Sequence, residues 1–387
     1  MAKSYGSIWL KGLNRLMKIQ REQARRLEAQ RKKAAAAARR ATPARERAKA
    51  GERSLAGTLD ALGALAARVR TPVRARTQRP GAVPRQTKHT PPQGIWTRSF
   101  FSAPPAAGEL VNHLVYGLYL PPARPNAALP LVVMLHGCKQ TIEDFAQGTR
   151  MNALADRHGF AVLYPEQSKH AQAHRCWRWY DDSAHAGGKE AGSIAALVQE
   201  VVRQQGLDPS RVYAAGMSAG AGMAALLALH HPQLFAAVAL HSAPALGGAH
   251  TAAGALAVMR RGVRGDPVAQ LRAAFDLAHH PGMPALLVQG AADPVVAAVN
   301  TDQLELQFLA LNRVLAAERP AAAWPEPGQP MALHDYRLGR RAIVRTCRVA
   351  GLAHGWSGGD DSFAFHSARG PDASALIWEF FSTWQRE

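Results

Sequence analysis

The sequence predicts an α/β domain, a largely parallel central sheet with helices on both faces, behind a basic N-terminal extension. Three observations carry that expectation. Short apolar, β-prone runs recur from about residue 96 onward, helical patterns lie between several of them, and the excess positive charge is confined to the first hundred residues. Strands alternating with helices form parallel sheets, because a parallel connection must cross back over the sheet and a helix makes that crossing. With 387 residues, 47% of them hydrophobic, the chain can bury a sizeable core.

The charge sets the first boundary. Residues 1–100 hold 24 Lys and Arg against 5 Asp and Glu, whereas residues 101–387 hold 23 of each, so the net +19 belongs to the extension. Residues 8–50 are rich in Ala, Arg, Lys, Gln and Leu, all good helix formers. Ile8, Leu10, Leu13, Leu16 and Met17 recur at near-helical spacing and give a narrow apolar face. Residues 71–95 are broken by Pro and Gly and read as a linker. The expected division is therefore an extension over 1–95 and a globular domain over 96–387. Lys11, Arg15 and Lys18 interrupt any apolar core of a secretory signal, and no apolar run reaches about 18 residues. A cytoplasmic location, with granule association included, is expected; export is the alternative.

Along the domain, strands are expected at Leu114–Leu120, Leu131–Leu135, Phe160–Tyr164, Arg211–Ala215, Ala236–Leu240, Ala285–Gln289 and Ala342–Val349. Helices are expected around 143–157, 190–205, 219–231 and 300–316, and an amphipathic stretch, Ala373–Trp384, closes the chain. Ligands in such sheets bind beyond the carboxyl ends of the strands, which is where chemistry should be sought.

At one such end the sequence reads Ala-Ala-Gly-Met-Ser218-Ala-Gly-Ala-Gly, after a β-prone run and before an apolar helix former. In a chain with 33 glycines a Gly-x-Ser-x-Gly match is weak alone, and a plain glycine-rich turn is the competing reading. Strand, tight turn and helix together fit a nucleophile elbow, whose small residues let the turn expose the serine hydroxyl. That hydroxyl needs a base, and the base a carboxylate. In α/β-hydrolases they follow in the order Ser, acid, His. Asp293 sits just past the apolar run ending at Gly290, although Asp before Pro is as commonly a turn or cap residue; Asp266 and Asp302 are rivals. His354 lies in the glycine-rich loop after Val349, with Trp356 beside it. Upstream, Leu-His136-Gly137-Cys138 ends a buried strand and can aim a backbone N–H at an oxyanion, the second donor being the N–H of Ala219. The sequence has no His-Glu-x-x-His pattern and no Cys/His cluster at zinc spacing, so neither metal nor cofactor is expected.

Taken together, LHGC at 135–138, the following EDFAQGTRMNALADRHGFAVLYPEQ, RCWRWY at 175–180, GMSAGAGMAA at 216–225, HPQLFAAVALHS at 231–242, HGWSGG at 354–359 and GPDAS at 370–374 resemble the poly(3-hydroxybutyrate) depolymerase type of esterase. That family also includes feruloyl and related carbohydrate esterases. The resemblance runs from about residue 96 to the C-terminus and implies an α/β-hydrolase fold. It implies Ser218 as nucleophile, Asp293 as acid, His354 as base and Cys138 at the oxyanion position, and it suggests that Cys138 and Cys176 are paired. Cys347, on an apolar strand, is expected to be a buried thiol. The chain departs from the family in reading QGAADPVV, where His-Gly more often precedes the acid, and in the basic extension, which the resemblance does not cover.

The expected activity is hydrolysis of 3-hydroxyacyl polyester, poly(3-hydroxybutyrate) or its oligomers, through an acyl-enzyme. A feruloyl or acetylxylan esterase is the alternative within enzymes. A granule- or nucleic-acid-binding protein with an idle hydrolase domain is the alternative outside them, since clustered Lys and Arg attract phosphates. His136, Trp177, Trp179 and Trp356 are candidates for the wall of a substrate cleft, with ordinary core packing the competing reading for the three tryptophans. Contact of the extension with a granule surface or polyanion is the expected partner interaction.

Overall fold

The structure, a computed structural model, describes residues 91–103, 112–122, 128–181, 187–314, 323–326 and 328–387. The chain divides into one unit of residues 1–10 and 90–387 and another of residues 11–89; the expectations for the basic extension lie outside the described residues. Nine strands of the first unit form one sheet in the order β1-β2-β4-β3-β5-β6-β7-β9-β8. They are β1 (Ile95–Ala103), β2 (Asn112–Leu120), β3 (Leu131–Leu135), β4 (Ala161–Glu166), β5 (Val212–Met217), β6 (Ala237–His241), β7 (Ala285–Gly290), β8 (Met331–Leu338) and β9 (Arg341–Val349). From β4 to β9 every pairing is parallel, and antiparallel pairs close both edges: β1 on β2, β2 on β4, and β8 on β9. The expected parallel sheet is therefore present, with antiparallel margins.

The central strands β3, β5, β6 and β7 are almost wholly apolar because both faces are covered. Leu131, Val133 and Leu135 of β3 enter one core with Val212 and Ala214 of β5, while Val132 and Met134 enter the other with Tyr213, Ala215 and Met217. Helices α3 (Gly187–Gln205), α4 (Ala219–His230) and α7 (Val299–Leu311) cover the first face through residues such as Ile194, Met223 and Phe308. Helices α1 (Ile142–Thr149), α2 (Met151–His158) and α8 (Ala373–Phe381) cover the second through Phe145, Met151 and Phe380. The helix expected over 143–157 is thus two. Arg150 sits in the left-handed region at φ 56° between them, and Thr149 turns its hydroxyl back onto the Phe145 carbonyl, which interrupts the ladder.

Among the elements that escaped the sequence reading are two edge strands and two short helices. The edge strands β1 and β8 interleave charged and polar residues with apolar ones, as half-solvated edges do. The short helices α5 (Ala252–Arg261) and α6 (Pro267–Ala274) bury little; their signals are the cap residues Thr251 and Asp266, whose side chains accept from Gly254 and Val268 N–H, with Pro267 at the first turn of α6.

The chain passes from β3 to β4 on one side and later enters β5 on the other, so the carboxyl ends of β3 and β5 flank a switch point. There α4 starts hard against β3. A Cβ added at Gly220 would lie 2.1 Å from the Leu135 carbonyl oxygen, and one at Gly216 would lie 2.4 Å from the Gly220 oxygen. Both contacts are with backbone, which cannot swing aside. Gly220→Ala should therefore lower the unfolding free energy by about 2–4 kcal/mol or abolish soluble expression. Gly192→Ala, on α3 with open space around the new methyl, should be neutral or stabilising by up to about 1 kcal/mol. Urea unfolding of the two variants checks this pair.

Candidate active site

Ser218 occupies the turn between β5 and α4 with φ 57° and ψ −121°, a conformation a side chain rarely adopts. The close approach of Gly220 to β3 enforces it. The Ser218 N–H donates to the His241 carbonyl at the end of β6 (2.9 Å), and its own carbonyl accepts from Gly222 (3.0 Å). The N–H of Ala219, at the first helical position, has no acceptor within the helix, as for every such donor. This end of α4 also carries the positive pole of the helix dipole.

Asp293 follows β7. Its Oδ1 accepts from the N–H groups of Val295 (2.8 Å) and Val296 (2.9 Å), and its Oδ2 bonds His354 Nδ1 at 2.8 Å. Burial works against the charged carboxylate. The His354 imidazole and its hydrogen bond, with the two N–H groups, outweigh it and hold the carboxyl below its usual range. One oxygen of Asp293 thus serves the turn and the other bonds the imidazole. With Nδ1 donating to Asp293, Nε2 of His354 is left as the basic nitrogen. The rival carboxylates have other employment: Asp266 caps α6, and Asp302 pairs with Arg348 at 2.7 Å.

The loop after β3 is held from several sides. A Cβ on Gly137 would stand 3.6 Å from that of Ser218, so this loop borders the serine. Gly137 N–H donates to Gln140 Oε1 (2.7 Å), and Lys139 N–H donates to the His174 carbonyl (2.7 Å). Cys138 and Cys176 form a disulfide, their Cα atoms 4.3 Å apart, tying the loop to the 174–180 segment. Buried Glu166, at the end of β4, pairs with Arg175 next to Cys176 and with Arg98 of β1. Cys347 is a buried free thiol, its titration pushed up to about 12 by burial.

The four side chains expected on a cleft wall lie beneath the surface. His136, Trp177 and Trp356 are at most 1% exposed, which leaves no face for a substrate. They brace the loops. His136 accepts the Gln167 N–H at Nε2 (3.1 Å) and donates from Nδ1 to the Gly137 carbonyl (2.8 Å). Burial first, and Arg175 in addition, lower its titration to about 4, so the ring is neutral. Trp177 donates its indole N–H to the His136 carbonyl (3.1 Å), and Trp356 donates to Ser374 Oγ (3.2 Å). Trp179 packs over the first turn of α4 at Gly222 and borders a small recess with Tyr180, Leu226 and Phe275. Sequence reasoning missed Gln140 and His241. Gln140 sits three residues past Gly137, a spacing that suits a side chain folding back on a turn; His241 ends a strand next to that of Ser218.

A strained serine, a carboxylate-bound imidazole and N–H groups at a helix start suit nucleophilic attack on a carbonyl carbon. Known proteins point the same way. An acetyl xylan esterase from Aspergillus awamori has the same fold, with a TM-score of 0.56 at 18% identity over 74% of this chain and 99% of its own. Poly(3-hydroxyalkanoate) depolymerase C of Paucimonas lemoignei is 30% identical over 265 residues, covering 66% of this chain and 60% of its own length. A probable acetylxylan esterase A of Neosartorya fischeri is 36% identical over 119 residues, 30% of this chain and 32% of its own. The chain thus spans about 60% of the length of the first relative and about a third of the second. Residues 114–326, more than half of the chain, match the model of the family described as Esterase PHB depolymerase, and the protein belongs to that family.

Proposed function

We propose that the protein is a serine esterase acting on 3-hydroxyacyl polyester, poly(3-hydroxybutyrate) or its oligomers. The observation that carries this reading is the Asp293–His354 hydrogen bond of 2.8 Å beyond the strand ends, in a sheet where Ser218 is held at positive φ and His241 bonds both the serine N–H and the segment after His354. Ser218 Oγ attacks the ester carbonyl while His354 Nε2 takes its proton. The N–H groups of Cys138 and Ala219 receive the negative charge on the carbonyl oxygen. As the tetrahedral centre collapses, the C–O bond to the leaving half of the polymer breaks and His354 returns its proton to that oxygen. Water, deprotonated by His354, then attacks the acyl-serine ester, and the acid half leaves with Ser218 restored. These steps require no cofactor.

The depolymerase relative supports a polyester substrate, and the acetylxylan esterase relative supports carbohydrate acetyl esters as the second reading. Comparing turnover of amorphous poly(3-hydroxybutyrate), a feruloyl ester and acetylated xylan separates them. The disulfide at the oxyanion loop favours an oxidising compartment over the cytoplasmic location that the charged N-terminus suggested. Among the described residues no helix is long and apolar enough to cross a membrane.

Ser218→Ala and His354→Ala should each lower kcat on a chromogenic butyrate ester by about 10³-fold or more with the fold retained by circular dichroism. Asp293→Asn should do so by at least about 10²-fold, because the imidazole loses the partner that sets its tautomer. Near wild-type turnover by Asp293→Asn would place the acid elsewhere.

For the basic extension we propose adsorption to an anionic or amphiphilic surface, such as a granule coat or a polyanion. Its charge and the narrow apolar face read in its sequence support this. Removing residues 1–90 should leave hydrolysis of the soluble ester unchanged while weakening retention on heparin and on polyester granules. Retention of the full-length protein should fade with salt, since exposed charges are screened beyond about 10 Å at 0.1 M. Equal retention of both forms at low salt would count against the proposal.

A further inference from the structure

His241 closes β6 with no exposed surface, and it touches both halves of the site through different atoms. Its carbonyl accepts the N–H of Ser218 at 2.9 Å. Its Nε2 accepts the N–H of Ser357 at 3.1 Å, three residues beyond His354. Only a neutral ring with an unprotonated Nε2 can accept there, so the proton sits on Nδ1, where it reaches Ser242 Oγ at 3.2 Å. The ring stacks on the Trp356 indole, with centroids 5.1 Å apart and planes 19° from parallel. Burial foremost, with His354 adding to it, lowers its titration to about 3, so it stays neutral at the pH values where a histidine base works.

We infer that His241 is a positioning residue of the esterase, one neutral imidazole that fixes the His354 loop in register with the Ser218 elbow. This role rests on the esterase reading above. β6 lies between the strand that leads to Ser218 and the strands β7 and β9 that lead to Asp293 and His354, and at its end His241 bonds both segments. The Ser357 N–H belongs to a wholly buried residue, so loss of its acceptor would leave a donor unpaired and the loop free to shift. A small displacement of the base costs far more in rate than in substrate affinity, because proton transfer depends steeply on geometry.

The experiment compares His241→Gln, whose side-chain carbonyl can reach the position of Nε2, with His241→Asn, which reaches only the position of Nδ1. Both are polar and of similar volume. The readout is kcat and KM on p-nitrophenyl butyrate per active site titrated with a fluorophosphonate, so unfolded protein does not count. His241→Gln should stay within about fivefold of wild type. His241→Asn should lose about tenfold to a hundredfold in kcat, with KM changed by less than about threefold. A residue serving stability alone would leave kcat per titrated site unchanged in both. Ser218→Ala is measured alongside. If it is inactive while the Gln and Asn variants turn over alike, the positioning role falls and the esterase reading stands. If it retains turnover, the esterase reading falls and takes the positioning role with it.

Discussion

The contact on which the site depends is the approach of α4 to the end of β3, where only glycine fits at 220 because any side chain would strike the Leu135 carbonyl. That contact leaves the chain no room to leave β5 gradually. The turn must be made in one residue, and Ser218 makes it at φ 57°. Strain of this kind costs on the order of 1–3 kcal/mol, and it persists because the sheet on one side and the buried helix on the other over-determine the turn. The same geometry aims the start of α4, whose first N–H groups have no acceptor within the helix, and its positive dipole at the space beyond the strand ends. Fold and chemistry share one cause here.

Around that turn the molecule uses buried neutral imidazoles as fixed acceptors. His136 anchors the loop after β3 on Gln167, and His241 anchors the segment beyond His354 on the strand next to the serine. An imidazole in such a place offers one donor and one acceptor in a rigid ring, so a single side chain sets the direction of two segments. Burial keeps both rings uncharged, to about 4 for His136 and about 3 for His241. His354 differs by its partner. It faces the carboxylate of Asp293, which stabilises an imidazolium if one forms, and that is what a proton-accepting base requires. The three histidines are thus distinguished by what each ring nitrogen meets.

Much of this was legible in the sequence because the central strands β3, β5, β6 and β7 are buried on both faces and read as apolar runs. The strand at Leu131–Leu135 matches residue for residue, and those over β5, β6, β7 and β9 lie within two residues of the expected ends. The edges were less legible: β1 and β8 owe their existence to a neighbour's backbone rather than to an apolar pattern. Ser218, Asp293 and His354 could be singled out because each follows a strand in a fixed order. The role of His241 could not, since its two bonds go to main-chain groups of segments remote in sequence, and main-chain groups leave no mark in a residue pattern. For the same reason Trp177 and Trp356 looked like walls of a cleft. An aromatic residue near a catalytic motif reads alike whether it faces substrate or braces the loop from behind, and only burial separates the two.

The most direct test of the central claim is covalent labelling with a fluorophosphonate, followed by peptide mapping. If the strained turn presents a hydroxyl activated by His354 and Asp293, one adduct per chain should form on Ser218, in step with loss of ester hydrolysis, and His354→Ala should slow its formation by orders of magnitude. Full inactivation with the adduct on another residue, or hydrolysis that persists once Ser218 is fully modified, would contradict the account.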